Sequence, residues 1–488
     1  MSVPNLASLL EHRSDQAALI IGDQSVSHGE LADWVARWRG GLIAAGVSAG
    51  DRVVVLGLNN ETLVTAHLAI LGIGAVSVPL NPQSPPAELA RELAMVEPSV
   101  TVADTHSSQA MAAAISAIGA SSIRQLDPEE LEAGDPAPVV SVEPGSPAVL
   151  LFTSGTGGPP KPAVLTHANL IAGLRAVLSL PVDLAGYPHV FIGVIPLFHV
   201  FGLNMVLHLS LATGATLVLA DFDGPAETLA LIETNKVTVV AGPPTLWRAF
   251  TRVPGASRET MASVLLAVSG AAKLPPQLKL DVLEQLGVDL DEGYGLTESS
   301  AVVAGSMTTD APLGSVGRLL PGVEARIVDN DEQDCLIGDP GELWVRGPMI
   351  FPGYWGHDSS EPAPLTDEGW LRTGDVAVVD EDGYIAIVDR RKDIIIVSGF
   401  NVFPAEVEAV IQSHPDVASV GVIGEPSEAT GEAVVAFVVP EEGTTVDPEA
   451  LGEHCRRELA RYKVPTKLNI AADLPVGPTG KLQRNLLS

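Results

Sequence analysis

Basic residues and cysteine are what this chain has least of. Its 28 lysines and arginines face 60 aspartates and glutamates over 488 residues, a formal net charge of −32. Such a surface repels phosphate backbones and anionic lipid heads, which excludes a broad nucleic-acid face or a membrane-surface role. Only Cys335 and Cys455 are present, too few for a disulfide framework or a thiolate metal cluster and in keeping with a reducing cytoplasm. No G-x-S-x-G, H-E-x-x-H or tight Cys/His group occurs, so nucleophile-elbow hydrolase and zinc peptidase chemistry lack their residues. GIGAVS and GYGLTE open like a dinucleotide fingerprint, but both lack its third glycine. The N-terminal stretch reaches Glu11 and His12 before any apolar run of signal-peptide length, so export is not expected.

The remaining composition is globular, 46% apolar and 18% charged, and the length suggests two or three domains. One stretch, Leu184 to Ala220, has no Asp, Glu, Lys or Arg and is long enough to cross a bilayer. It contains Pro196, His199, Asn204 and His208 and is flanked by Asp183 and Asp221 where basic residues would be expected. It therefore reads as a buried helix followed by a buried strand, ATLVLA. Elsewhere DRVVVLGL, AVSVPLN, VTVVAG and SVLLAVSG read as strands, with ETLVTAHLAILGIG and PPQLKLDVLEQLG as helices. That alternation predicts an α/β fold with layered, largely parallel sheets. After Gly314, the short runs EARIVD, GELWVRG, VAVVDEDGY and YIAIVD between acidic glycine turns predict a small, mainly antiparallel subdomain over 313–389. It completes a large N-terminal domain, 1–389. From 390 to 488, two helical patterns and two strands predict a small α+β domain.

The strongest chemical signal is LLFTSGTGGPPKPAVLTHAN, Leu150 to Asn169. An apolar strand runs into Thr153, Ser154, Gly155, Thr156, Gly157 and Gly158, then two prolines and Lys161. Small residues let backbone N–H groups approach an oligophosphate, hydroxyls donate to its oxygens, and the lysine supplies a point charge. The P-loop pattern does not fit, because Pro160 and Pro162 stand where it needs Gly and Ser or Thr.

TSGTGGPPKP resembles the loop of the adenylate-forming superfamily, which includes acyl-CoA synthetases, luciferases and peptide-synthetase adenylation domains. It departs from the family pattern at Gly157, usually Thr, and at Pro162, usually Gly. Three further segments match in order, so the resemblance covers nearly the whole chain. In DEGYGLTESS it implies Asp291, Tyr294, Gly295 and Thr297 at the nucleotide, with Tyr294 against the adenine. Glu298, aided by Thr156, is implied to hold Mg²⁺. Gly270, Ala271 and Ala272 match the adenine-side wall. In GWLRTGD and DRRKD, Asp375 corresponds to the residue that accepts the ribose hydroxyls, Arg390 to a nucleotide-contacting arginine and Asp389 to a hinge. Arg391 and Asp393 read instead as a salt-bridged surface. In PTGKLQRN, Lys481 takes the position of the adenylation lysine. His199 in PLFHVFG corresponds to a position at the acyl pocket, and Gly399 in SGFN leaves room for the pantetheine arm.

The resemblance implies a mobile C-terminal domain and catalysis by Lys481, Glu298, Thr297 and His199. The implied reaction joins a carboxylic acid to CoA through an acyl-AMP, with ATP and CoA as co-substrates and AMP and pyrophosphate released. PLFHVFGLNMVLHL contains no Lys or Arg to bind a second carboxylate, and SGFN resembles the fatty-acid branch, so a medium- or long-chain fatty acid is expected. An aryl acid, or a carrier protein in place of CoA, is the alternative within the class. Outside it, Pro162 and Gly157 motivate a nucleotide-binding protein with impaired turnover.

Overall fold

The computed structural model describes residues 5–10, 14–120, 123–153, 161–182, 184, 188–220, 224–307, 309–356, 364–390, 393–397, 400–427, 430–477 and 481–487. Ser154, Gly155, Thr156, Gly157, Arg391 and Gly399 lie outside them. The chain forms two compact units: Met1–Asp310 with Leu319–Glu324 and Arg346–Leu371, and Ala311–Arg318 with Ala325–Val345 and Arg372–Ser488.

The larger unit contains two sheets. In one, the strands Arg52–Leu56, Val76–Leu80, Val100–Ala103 and Arg124–Leu126 run parallel. Pro147–Thr153 joins parallel to Val76–Leu80, and Lys161–Thr166 closes the edge antiparallel. In the other, Ala17–Ile21, Val190–Gly193, Thr216–Leu219, Val239–Gly242, Leu266–Ser269 and Leu290–Tyr294 are parallel neighbours. Strands buried on both faces read as unbroken Val, Ile and Leu runs, which is why DRVVVLGL and VTVVAG were legible. The helix Glu61–Gly72 opens on Asn60, whose side chain accepts the N–H of Leu63, and is almost entirely buried.

The charge-free stretch resolves into the strand Val190–Gly193, a π-helix Phe201–His208, a short α-helix Leu209–Thr213 and the buried strand Thr216–Leu219. No described helix is long and apolar enough to cross a membrane. The helix-then-strand reading holds, but its first half is wound with π geometry, which places Asn204 and His208 on one side, fully buried.

In the smaller unit, Leu371–Val379 and Ile385–Arg390 pair antiparallel, beside Glu324–Val328 and Gly341–Arg346 in one sheet. Its C-terminal part packs Pro404–Gln412 and Pro448–Glu458 against a sheet of Val417–Ser427, Gly431–Pro440, Lys467–Ile470, Ile395–Val397 and Phe400–Val402.

Candidate active site

Thr153 and Lys161 face each other across the hairpin whose loop is 154–160, and the Thr153 hydroxyl donates to the Lys161 carbonyl at 3.3 Å. Lys161 thus begins an edge strand rather than a helix. Pro162 presents its carbonyl to the N–H of Trp355 at 2.8 Å, and the N–H of Val164 donates to Gly353 on the same side. The amide hydrogen that proline lacks therefore faces segment 353–355 and removes no ladder bond with Pro147–Thr153.

That segment brings in a residue the sequence reading missed. The Tyr354 hydroxyl donates to Glu298 Oε1 at 2.6 Å, and Lys161 Nζ lies 5.8 Å from the centre of the Tyr354 ring. Burial, with the Glu298 charge second, pushes the phenol well above its ordinary range, so it stays a donor. The Glu298 carbonyl accepts the N–H of Phe351, and Asn169 Nδ2 holds the carbonyls of Pro348 and Ile350. Glu298 is thereby fixed through both backbone and side chain. The visible signal was the aromatic run MIFPGYWG, although nothing local ties it to a carboxylate 56 residues upstream.

The SGAA and DEGYG segments are brought together by parallel pairing of Ser269 with Glu292. A Cβ on Gly270 would lie 3.0 Å from the Phe201 ring and 3.4 Å from the Gly293 carbonyl, so only glycine fits easily. Ala271 follows with φ +66°, a backbone L side chains rarely adopt, and is exposed, with Ala272 half-buried. Gly295 is pressed on the Ala301 backbone. Tyr294 ends its strand, and Thr297 opens the short turn Thr297–Ser299. Asp291 Oδ1 accepts the Ser306 hydroxyl at 2.9 Å, and burial raises its pKa. The neighbouring Glu292, unremarked in the sequence, is buried and accepts the N–H of Leu274; burial pushes it up to about 7. His199 Nδ1 accepts the Phe201 N–H at 3.3 Å, which sets the half-buried imidazole two residues before the ring that covers Gly270.

In the smaller unit, Asp375 and Arg390 sit opposite each other on paired strands, and Nε reaches Oδ1 at 2.6 Å. Asp375, read as a solitary carboxylate, is buried and already neutralised. Lys481 shares this neighbourhood. Burial first, then the adjacent Arg390, lowers its pKa to about 8 against the opposing pull of Asp375 and Asp393. Asp389 accepts the N–H of Ala405 and that of Arg390. Asp393, read as surface salt-bridged, pairs with Arg484 at 3.4 Å. Arg484, also missed, binds the Glu408 carboxylate with two 2.8 Å hydrogen bonds.

No group of three or more His, Cys, Asp and Glu capable of holding a metal occurs among the described residues. A single carboxylate such as Glu298 nonetheless suits Mg²⁺, which keeps several waters and takes its remaining ligands from phosphates.

The AMP-binding enzyme model matches residues 7–355, and the AMP-binding enzyme C-terminal domain model matches 406–481. The chain belongs to the AMP-binding enzyme family. A feruloyl-CoA synthase of an Amycolatopsis species is 35% identical over 464 residues, covering 94% of this chain and 93% of the relative. A long-chain-fatty-acid–CoA ligase of Bacillus subtilis is 36% identical over 342 residues, 70% of this chain and 61% of its own. The crystal structure of ATP-bound MatB from Rhodopseudomonas palustris superposes with a TM-score of 0.91 at 30% identity, covering 99% and 98% of the two chains. The fold described above is thus shared with that ATP-bound structure.

Proposed function

We propose that this protein is an AMP-forming acyl-CoA ligase for an apolar monocarboxylic acid. The observation that carries the reading is the convergence of Lys161 and Glu298 on Tyr354, a cation and an anchored carboxylate, with Lys161 directly following the hydroxyl- and glycine-rich sequence 153–160.

A carboxylate resists nucleophilic attack because its charge is delocalised. Attack of its oxygen on the α-phosphorus of ATP forms an acyl-AMP and expels pyrophosphate; attack of the CoA thiolate then forms the thioester and expels AMP. Lys161 and Lys481 stabilise charge on the phosphates, and Glu298, aided by Thr156 and Thr297, would hold Mg²⁺. The metal, when bound, neutralises phosphate charge. Tyr294, Gly270, Ala271, Ala272, Gly295 and Asp291 take the nucleotide base and its surroundings, and the Asp375–Arg390 pair takes the ribose. Residues 390–488 act as the moving domain, with Asp389 as its hinge and Gly399 on the CoA path. His199, beside Phe201, faces the acid.

The absence of Lys and Arg from PLFHVFGLNMVLHL supports an aliphatic chain of medium or long length. An aryl acid is the second reading, favoured by the likeness to feruloyl-CoA synthase along nearly the whole chain. A carrier-protein acceptor has no observation behind it. The test is AMP release from purified protein with ATP, Mg²⁺, CoA and a panel of fatty and hydroxycinnamic acids. Tight ATP binding with no AMP from any acid returns the reading to a nucleotide-binding protein without turnover.

A further inference from the structure

Behind the Thr297–Glu298 turn runs a chain of fully buried polar groups that the reaction scheme does not use. The Ser77 hydroxyl lies 2.9 Å from His67 Nδ1, His67 Nε2 lies 2.8 Å from His208 Nε2, and His208 Nδ1 lies 3.0 Å from Asn204 Oδ1. Asn204 Nδ2 donates to the Ser300 carbonyl at 2.9 Å and to that of Leu170 at 3.3 Å. Ser77, His67, His208, Asn204 and Ser300 are all 0% exposed.

The direction of every bond follows from its ends. Two carbonyls can only accept, so the Asn204 amide nitrogen faces them and its oxygen accepts a hydrogen bond from His208 Nδ1–H. Full burial disfavours an imidazolium, and with both rings neutral His208 Nε2 is an acceptor, which makes His67 Nε2 the donor and leaves His67 Nδ1 to accept from Ser77. Burial agrees, lowering His67 to about 3 and holding His208 well below the ordinary imidazole range, with neighbouring histidines adding to both shifts. The chain ends on Ser300, which has φ +56° and whose hydroxyl donates to the Met349 carbonyl at 2.9 Å. Ser300 lies two residues beyond Glu298. Gly173 makes room: a Cβ there would lie 3.2 Å from Asn204 Nδ2 and 3.3 Å from the Ser300 carbonyl.

We propose that the Ser77–His67–His208–Asn204 chain positions the Glu298 turn, with Asn204 as the residue that transmits it. The inference rests on the reading of Glu298 as the Mg²⁺ carboxylate. A left-handed residue held by one directional chain has a single orientation; without it, the turn relaxes.

The test compares Asn204→Ala, Glu298→Gln and the double variant, measuring Kd for ATP by calorimetry with Mg²⁺ and with EDTA, acyl-AMP formation and thermal melting. The expected result is that Asn204→Ala abolishes most of the Mg²⁺-dependent gain in ATP affinity, lowers the rate of acyl-AMP formation by about 100-fold, and adds little in the Glu298→Gln background. If Asn204→Ala does not fold, Asn204→Ser, which keeps a short polar side chain but withdraws the amide from the Ser300 and Leu170 carbonyls, should show the same non-additivity. Lower melting with unchanged kinetic and binding constants, or full additivity, overturns the positioning role alone. Unchanged Mg²⁺ dependence in Glu298→Gln overturns the metal-carboxylate reading and this inference with it.

Discussion

Lys481 illustrates how burial and neighbouring charge set what a side chain can do. Its pKa near 8 means the ammonium is present at neutral pH and lost as pH rises through 8. Acyl-AMP formation, measured as kcat/KM for ATP, should fall above about pH 8, and Lys481→Arg should lack that limb. Lys481→Ala should lose acyl-AMP formation while still passing acyl groups to CoA from supplied acyl-AMP; loss of both steps would remove the specific role proposed for it. The linkage has the opposite sign for stability: the folded pKa lies below the unfolded value, so the charged lysine opposes folding below pH 8, and that penalty fades as pH rises toward 10.5. Tyr354→Phe removes one hydrogen bond to an ionised carboxylate, worth about 2 kcal/mol. A roughly 30-fold loss of acyl-AMP formation is expected, with the Mg²⁺ dependence shifted to higher concentration. Neither contact is legible in sequence: Tyr354 reaches Glu298 from a distant element, and Asn204, visible only as a polar break in an apolar stretch, meets the Ser300 carbonyl 96 residues away.

Pro404–Gln412 and the C-terminal segment bearing Arg484 are joined by a half-buried ion pair, Glu408 with Arg484. Burial raises the Glu408 pKa, and Arg484 opposes that shift. Arg484→Met removes the charged partner of Glu408 and leaves it the Val422 N–H, at a cost of about 3 kcal/mol. Urea unfolding at pH 7.5 should show that deficit, and it should shrink toward pH 4, where Glu408 is protonated in both states and the lost partner no longer matters. Equal stability of variant and parent at pH 7.5 would mean the pair is solvent-relaxed. The elements themselves were largely legible. Parallel strands buried on both faces gave continuous β-branched runs, and helices announced themselves by Asn60 or by the prolines at 276, 404 and 448. The phosphate-loop hairpin was less so, since a proline at Pro162 argues against a strand unless its missing donor faces away from the ladder, and only the placement of segment 353–355 shows that it does.

Across the whole chain, a net charge of −32 makes self-repulsion a standing opponent of compactness. Raising NaCl from about 20 to about 300 mM shortens the screening length several-fold and should raise the melting temperature, whereas an isolated surface pair would lose stability; an unchanged or lower value would show that local pairs dominate. The same figure excluded a broad basic face, and the cations of functional interest are few and placed: Lys161 over Tyr354 in the larger unit, and in the smaller Arg390 on Asp375, with Lys481 near that pair. What the sequence determined by itself was the succession of elements, the motif order and with it the family, because periodicity, turn residues and short motifs are encoded in adjacent positions. Only the tertiary structure decided that Tyr354 holds Glu298, that Asp375 is paired and that a buried histidine chain ends at Ser300. Those facts depend on which distant strands and helices become neighbours, and hydrogen bonds across 56, 15 or 141 residues leave no local trace.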